Sequence, residues 1–216
     1  MSDKATLFNS IIDGIIIINL KHRNDRLEES LSILYEGGVD LLKVRVLEAS
    51  YNPSNGAKGC SESHYRAMVM AKEHNMKNVL ILEDDFKFKF EIEEVANRIH
   101  ETIKKLKKWD VIQLSWGLNG YKHRTKILKG VKYVRQLNHE IRGAWLTTAF
   151  LVNNTVYDRL IQNFYESFEK QPEIRPREMC RWVVDRNWWK VQRETDWFIF
   201  VPKLIEPRDP LDSDIR

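Results

Sequence analysis

The densest group of chemically capable side chains is the acidic triplet Glu83, Asp84 and Asp85, in the stretch NVLILEDDFKF. The apolar run Val79 to Leu82 leads straight into these three carboxylates. Adjacent anions repel, and each loses hydration when partly buried, so either something compensates or the cluster lies in water. Hard oxygen ligands grouped in this way suit Mg²⁺ or Mn²⁺, ions that commonly complete their shell with substrate phosphates. The charge of such a cation would offset the repulsion. A solvated turn after a strand looks the same in sequence, and on these residues alone both readings stand.

Other candidates are thinner. GCSESH (59–64) lies where a loop enters a helix, and helix N-termini offer free N–H groups to anions. Gly59, Ser63 and His64 could therefore line an anionic ligand; alternatively Ser63 caps the helix and His64 packs. Asp185 lies among Trp182, Trp188 and Trp189. Indole faces suit the apolar faces of sugar rings, although tryptophans at helical spacing more often fill a core. Asp185 could also pair structurally with Arg181 or Lys190. Lys122, His123, Arg124 and Lys126 form a basic loop that either closes over an anion or is simply solvated. Cys60 and Cys180 fit neither a disulfide framework nor a metal-knuckle spacing and read as packed thiols. His74, His100, His123 and His139 show no ligand spacing.

These residues need a scaffold. GIIIINL (14–20) reads as a buried strand, followed by a helix over 23–38 that Gly37-Gly38 ends. A strand at 43–49, a loop at 50–59, a helix at 60–75 and the strand 79–82 come next. Ser61 or Ser63 is the expected cap of the 60–75 helix. A helix over about 91–108 and a strand at 109–115 complete an alternation that predicts a mostly parallel α/β sheet with right-handed crossovers. Beyond it are a loop at 117–130, strands at 131–137 and 144–152 and an amphipathic helix at 155–170. A linker at 171–178, a Trp-rich helix at 179–192 and a strand at 197–202 follow. Ligands of open α/β sheets bind outside the carboxyl ends of the strands, which is where the triplet falls.

The bulk numbers bound the function. The chain has 216 residues, 43% hydrophobic and 31% charged, as expected of one folded domain rather than a disordered segment. A net charge of +4 suits an anionic ligand but is too weak an excess to imply nucleic-acid binding. The longest apolar run, Ile15 to Ile18, is too short to span a bilayer, and MSDKATLFNS lacks the features of a signal peptide. These observations predict a cytoplasmic protein.

Taken in order, INLKHRNDR, GCSESH, VLILEDD, WDVIQLS, VVDRNWWKVQ and the terminal PKLIEPRDPLDSDI resemble glycosyltransferase family 25 over residues 14 to 215. That family comprises bacterial lipooligosaccharide and collagen β-galactosyltransferases, with relatives in large DNA viruses. A viral member would work in the host cytoplasm or the virion. The resemblance implies a GT-A-type, Rossmann-like fold in a single domain, with a nucleotide-sugar-binding half (1–115) and an acceptor and catalytic half (116–216). It further implies metal-dependent, inverting transfer of a galactose- or glucose-type hexose from a UDP-sugar to a glycan or protein hydroxyl, with Mn²⁺ or Mg²⁺ as cofactor.

On that resemblance Asp85 is the direct metal ligand, Asp84 contacts the metal shell or the ribose, and Glu83 holds the loop or a donor hydroxyl. Asn19 and Leu20 contact the base, and Arg26 reaches base or phosphate, whereas Arg23 reads as a surface charge. His64 lies beside the donor, Asp185 is the general base, and Asp214 is a further possible contact. RGAWLTTAFLVNN (142–154) departs from the Gly-rich, aromatic stretch usual in the family, which leaves the sugar and the acceptor open. A degenerate nucleotide- or glycan-binding protein of the same fold is a rival reading. A metal-dependent phosphohydrolase would call for further His or Asp ligands that the sequence lacks.

Overall fold

The computed structural model describes residues 5–117, 131–133, 143–175 and 181–208. Its first strand is six buried residues, Gly14–Asn19 (β1). Four consecutive isoleucines suit a strand covered on both faces, because β-branched side chains pack well on a pleated surface. Strand Val44–Glu48 (β2) and strand Asn78–Glu83 (β3) flank it, both parallel to it. Helix Asn24–Glu36 (α2) connects β1 to β2, and helix Gly56–Glu73 (α3) connects β2 to β3.

Beyond β3, Ala149–Asn153 (β7) enters antiparallel, with Val111–Gln113 (β5), Trp197–Phe200 (β8) and Val131–Tyr133 (β6) beyond it. The order of this seven-stranded sheet is β2-β1-β3-β7-β5-β8-β6, with only β7 and β6 opposed to the rest. The expected mostly parallel α/β sheet is thus what the chain forms. A separate two-stranded sheet pairs Phe86–Phe88 (β4) with Ile205–Pro207 (β9).

Alternation along the strands separates two cores. Ile15, Ile17, Leu80 and Leu82 face one layer with Phe8, Leu34, Val95 and Ile99. That layer holds helix Thr6–Ile11 (α1), α2 and helix Ile92–Leu106 (α4). Ile16, Ile18, Val79 and Ile81 face the other layer with Met68, Phe150, Leu160, Phe164 and Trp188. There α3 packs on helix Tyr157–Glu169 (α5) and on the short helix Val184–Asn187 (α6), and the short helix Trp189–Glu194 (α7) packs on α5 and α6.

Local differences from the sequence reading have physical causes. The 60–75 helix begins earlier, at Gly56, because the Asn55 side chain accepts the Lys58 N–H and caps it. Ser61 and Ser63 therefore cap nothing; their hydroxyls donate back to the carbonyls of Ala57 and Gly59. Gly59 is required by packing, since a Cβ there would lie 2.3 Å from the Ser50 carbonyl oxygen. Gly→Ala inside a helix ordinarily stabilises by roughly 0.5–1 kcal/mol. Gly59→Ala is expected to do the opposite and cost about 1–3 kcal/mol in urea denaturation, because it forces the 50–52 loop away. Of the helix expected over 179–192, residues 179 and 180 lie outside the described residues, and helix begins only at Val184 and divides into α6 and α7 at Trp188, whose buried indole donates to the Ala144 carbonyl at 2.9 Å.

Candidate functional site

Glu83, Asp84 and Asp85 bridge the end of β3 and the start of β4, so the small β4–β9 sheet fixes where they point. Asp84 is held on every side. Its carboxylate accepts from the Asn19 amide at 2.8 Å and from the Arg26 guanidinium at 3.1 Å. Its carbonyl accepts from the Ser30 hydroxyl at 2.8 Å and from the Arg208 guanidinium. Arg26 and Ser30 are one turn apart on α2, so one helix face grips both ends of the residue. Burial pushes the Asp84 carboxyl above its ordinary pKa, against the opposing pull of Asn19 and Arg26.

The Asp85 backbone carbonyl accepts the Arg208 N–H at 2.6 Å. Its Oδ1 is buried and has no hydrogen-bond partner among the described residues. Burial, then the charges of Glu83 and Asp84, raise its pKa from 3.8 to about 7, although Arg26 and Arg208 pull the other way. A buried carboxylate oxygen without a partner beside two further carboxylates is what a divalent cation would satisfy.

Glu83 belongs to a different group of side chains. Its Oε1 accepts from the Thr147 hydroxyl at 2.7 Å and lies 3.1 Å from His64 Nε2 and 3.9 Å from Cys60 Sγ. Burial would raise its pKa, but the bond and charge of His64 and the Thr147 and Thr148 hydroxyls outweigh it, leaving the carboxyl below its ordinary value. His64 is buried, set against the rings of Phe150 and Phe164. The triplet itself does not converge as three ligands; among the described residues, three such donor atoms meet at Cys60, His64 and Glu83.

These groups share a cavity of about 420 Å³ at the carboxyl ends of β1 and β3, lined by Leu20, Arg26, His64, Glu83, Asp84 and Asp85. Its mouth carries His22 and Tyr51, packed edge to face with ring centroids 5.3 Å apart. Asn19, expected at the base, is turned instead to the Arg23 carbonyl and to Asp84 and does not line the cavity. Arg26, expected at base or phosphate, lines the cavity while paired with Asp84. Arg23, expected as a surface charge, forms a two-point ion pair with an exposed Asp25 while its own side chain is only 14% exposed.

Asp185 is half-buried outside the cavity lining and accepts the Leu146 N–H at 3.3 Å. Leu146 has a φ of 76°, a left-handed conformation that is strained for leucine, so the chain bends sharply where it meets Asp185. Burial raises the Asp185 pKa and the charge of Glu83 adds to it, against Arg186 and His64. Among the described residues no salt bridge from Asp185 to Arg181 or Lys190 is present, and Lys190 pairs with Glu166. Trp188 is fully buried between Phe150 and Trp197, and Trp182 packs beneath Lys170 and Arg181. Asp214, the basic loop of Lys122, His123, Arg124 and Lys126, His139 and Cys180 lie outside the described residues.

Sequence reading missed Ser30, Thr147 and Arg208. Ser30 had a findable signal in its one-turn spacing from Arg26. Thr147 and Arg208 become visible only once β7 and β9 are paired beside the triplet.

The family model of glycosyltransferase family 25 (LPS biosynthesis protein) matches residues 42–170, more than half of the chain. The match includes Cys60, His64 and the triplet but stops short of Asp185. Procollagen galactosyltransferase 1-B of Xenopus laevis is 30% identical over 128 residues, a span covering 47% of this chain and 21% of that protein. A glycosyltransferase 25 family member of Drosophila melanogaster is 30% identical over 125 residues, covering 47% and 20%. The chain thus matches about a fifth of the length of these curated relatives. Among solved structures, a glycosyltransferase involved in the glycosylation of the major capsid of PBCV-1 superposes with a TM-score of 0.44 at 7% identity. It covers 87% of this chain and 92% of that one.

Proposed function

Because the chain belongs to glycosyltransferase family 25, we propose that it transfers a hexose, with inversion, from a UDP-sugar to a glycan or protein hydroxyl. The observation that carries this reading is the cavity at the carboxyl ends of β1 and β3, into which the triplet projects with one buried Asp85 oxygen lacking a partner. A UDP-sugar combines a planar base, a doubly charged diphosphate and a polar ring. Leu20 and the aromatic pair at the mouth suit the base. The acidic floor accepts a diphosphate only if a cation lies between them.

Asp85 would hold that cation, Mn²⁺ or Mg²⁺, through Oδ1, and Asp84, fixed by Asn19 and Arg26, would set the position of Asp85. When bound, the ion supplies Lewis-acid stabilisation to the departing diphosphate. Glu83, kept ionised by His64 and Thr147, accepts a bond from a hydroxyl of the transferred sugar. Asp185 takes the proton of the acceptor hydroxyl as it attacks the anomeric carbon opposite the leaving group.

Release of nucleoside diphosphate from UDP-galactose or UDP-glucose with Mn²⁺ tests this reading. Tight donor binding without turnover would identify a binding protein, and release of a monophosphate would identify a phosphohydrolase. Asp185→Asn is expected to lower kcat about 100-fold with little change in the donor KM, because it removes a proton acceptor and leaves the donor's contacts in place. The raised pKa of Asp185 sets the sign of the pH dependence: the base must be ionised, so the acidic limb of kcat lies above the ordinary carboxylate range and is lost in the variant.

A further inference from the structure

We propose that Cys60, His64 and Glu83 form a second metal site, selective for soft divalent ions such as Zn²⁺ and separate from the Asp85 carboxylate. Cys60 and His64 are four residues apart on α3, so their side chains share one helix face, and Glu83 meets them from the end of β3. Their three donor atoms lie within 4.8 Å of one another, with Nε2–Oε1 at 3.1 Å and Sγ–Oε1 at 3.9 Å. Tetrahedral zinc with bonds of about 2.0–2.3 Å needs its ligands roughly 3.3–3.7 Å apart, so binding requires shifts of a few tenths of an ångström in these two separations and a Sγ–nitrogen separation, at most 4.8 Å here, brought into the same range by side-chain rotation. All three residues line the cavity, which leaves a fourth position open to it.

Support for the ligands is already in place. Thr147 donates to Glu83 and orients its carboxylate, and Phe150 and Phe164 fix the plane of the His64 ring. A thiol and an imidazole select zinc over the hard ions that suit Asp85. On binding, the thiol proton and any proton on His64 Nε2 pass to solvent, Sγ and the Glu83 carboxylate supply two negative charges, and Nε2 supplies its lone pair, with the ring proton left on Nδ1, which has no hydrogen-bond partner among the described residues. Burial, and after it the charges of Glu83 and Asp185, push the Cys60 thiol up; a cation would offset the contribution of the charges. At the proposed donor site such occupancy is inhibitory, because it withdraws Glu83 from the sugar. That consequence rests on the transfer reading; the site itself does not.

The test is Co²⁺ titration of the full chain without donor, read as a near-ultraviolet thiolate-to-cobalt charge-transfer band. The expected result is a band that saturates at one equivalent, is bleached by Zn²⁺, persists in Asp85→Asn and is lost in Cys60→Ser. Zinc should also protect Cys60 of the unmodified chain from alkylation, read by peptide mass spectrometry, which does not depend on a variant folding. Absence of the band, its persistence in Cys60→Ser, its loss in Asp85→Asn, or alkylation of Cys60 at an unchanged rate with zinc would each overturn the proposal. None of these readouts requires turnover, so a chain inactive on every nucleotide sugar could still pass.

Discussion

Asp85→Asn is expected to lower transfer about 1,000-fold and at the same time to make the metal-free protein more stable. The loss of rate follows if Asp85 holds the cation that stabilises the leaving diphosphate, a contribution of several kcal/mol to the transition state. The gain in stability follows from the electrostatics of the triplet. A carboxyl whose pKa is 3.8 when unfolded and about 7 when folded favours the fold in its protonated form. That contribution is fully present below pH 4 and is lost as the pH rises through 7. Asparagine keeps the shape without the charge. In chelator at pH 8 the variant should therefore exceed the parent by about 2–4 kcal/mol in urea denaturation, with the difference vanishing near pH 4. An ordinary structural carboxylate would show no such combination of lost rate and gained stability.

Arg26→Ala should act in the opposite sense and cost about 3–5 kcal/mol of folding free energy. Arg26 and Asp84 pair at 3.1 Å with side chains only 11% and 9% exposed, so solvent screens them little. Removing the guanidinium leaves a buried carboxylate with the Asn19 amide as its remaining hydrogen-bond donor among the described residues, which is more costly than the loss of the pair itself. Replacing both partners, as in Arg26→Met with Asp84→Leu, should recover much of that stability while leaving the site without its support. Denaturation midpoints of the single and double variants measure the difference directly.

Much of this arrangement was legible before any coordinates. The isoleucines of β1, the VLIL run of β3 and the apolar stripes of α4 and α5 announce themselves because burial on a fixed period is a local property. The triplet could be placed at a strand end for the same reason. Which carboxylate is unpaired could not be read, because it depends on contacts far apart in sequence. Asn19 and Arg26 reach Asp84 across 65 and 58 residues, and Arg208 across 124. The three-residue strands β4 and β9 carry too little periodicity to detect, although their pairing fixes the triplet. Gly56 to Gly59 looked like a loop by composition, yet the Asn55 cap and the close approach of Ser50 make it the first turn of α3.

The most direct test is calorimetric titration of UDP into the protein with and without Mn²⁺, for the parent and for Asp85→Asn. Binding should need the metal in the parent and weaken at least tenfold in the variant, a loss of about 1.4 kcal/mol or more. UDP that binds equally well in chelator, or with equal affinity to Asp85→Asn, would contradict the assignment of Asp85 as the seat of the diphosphate and its cation.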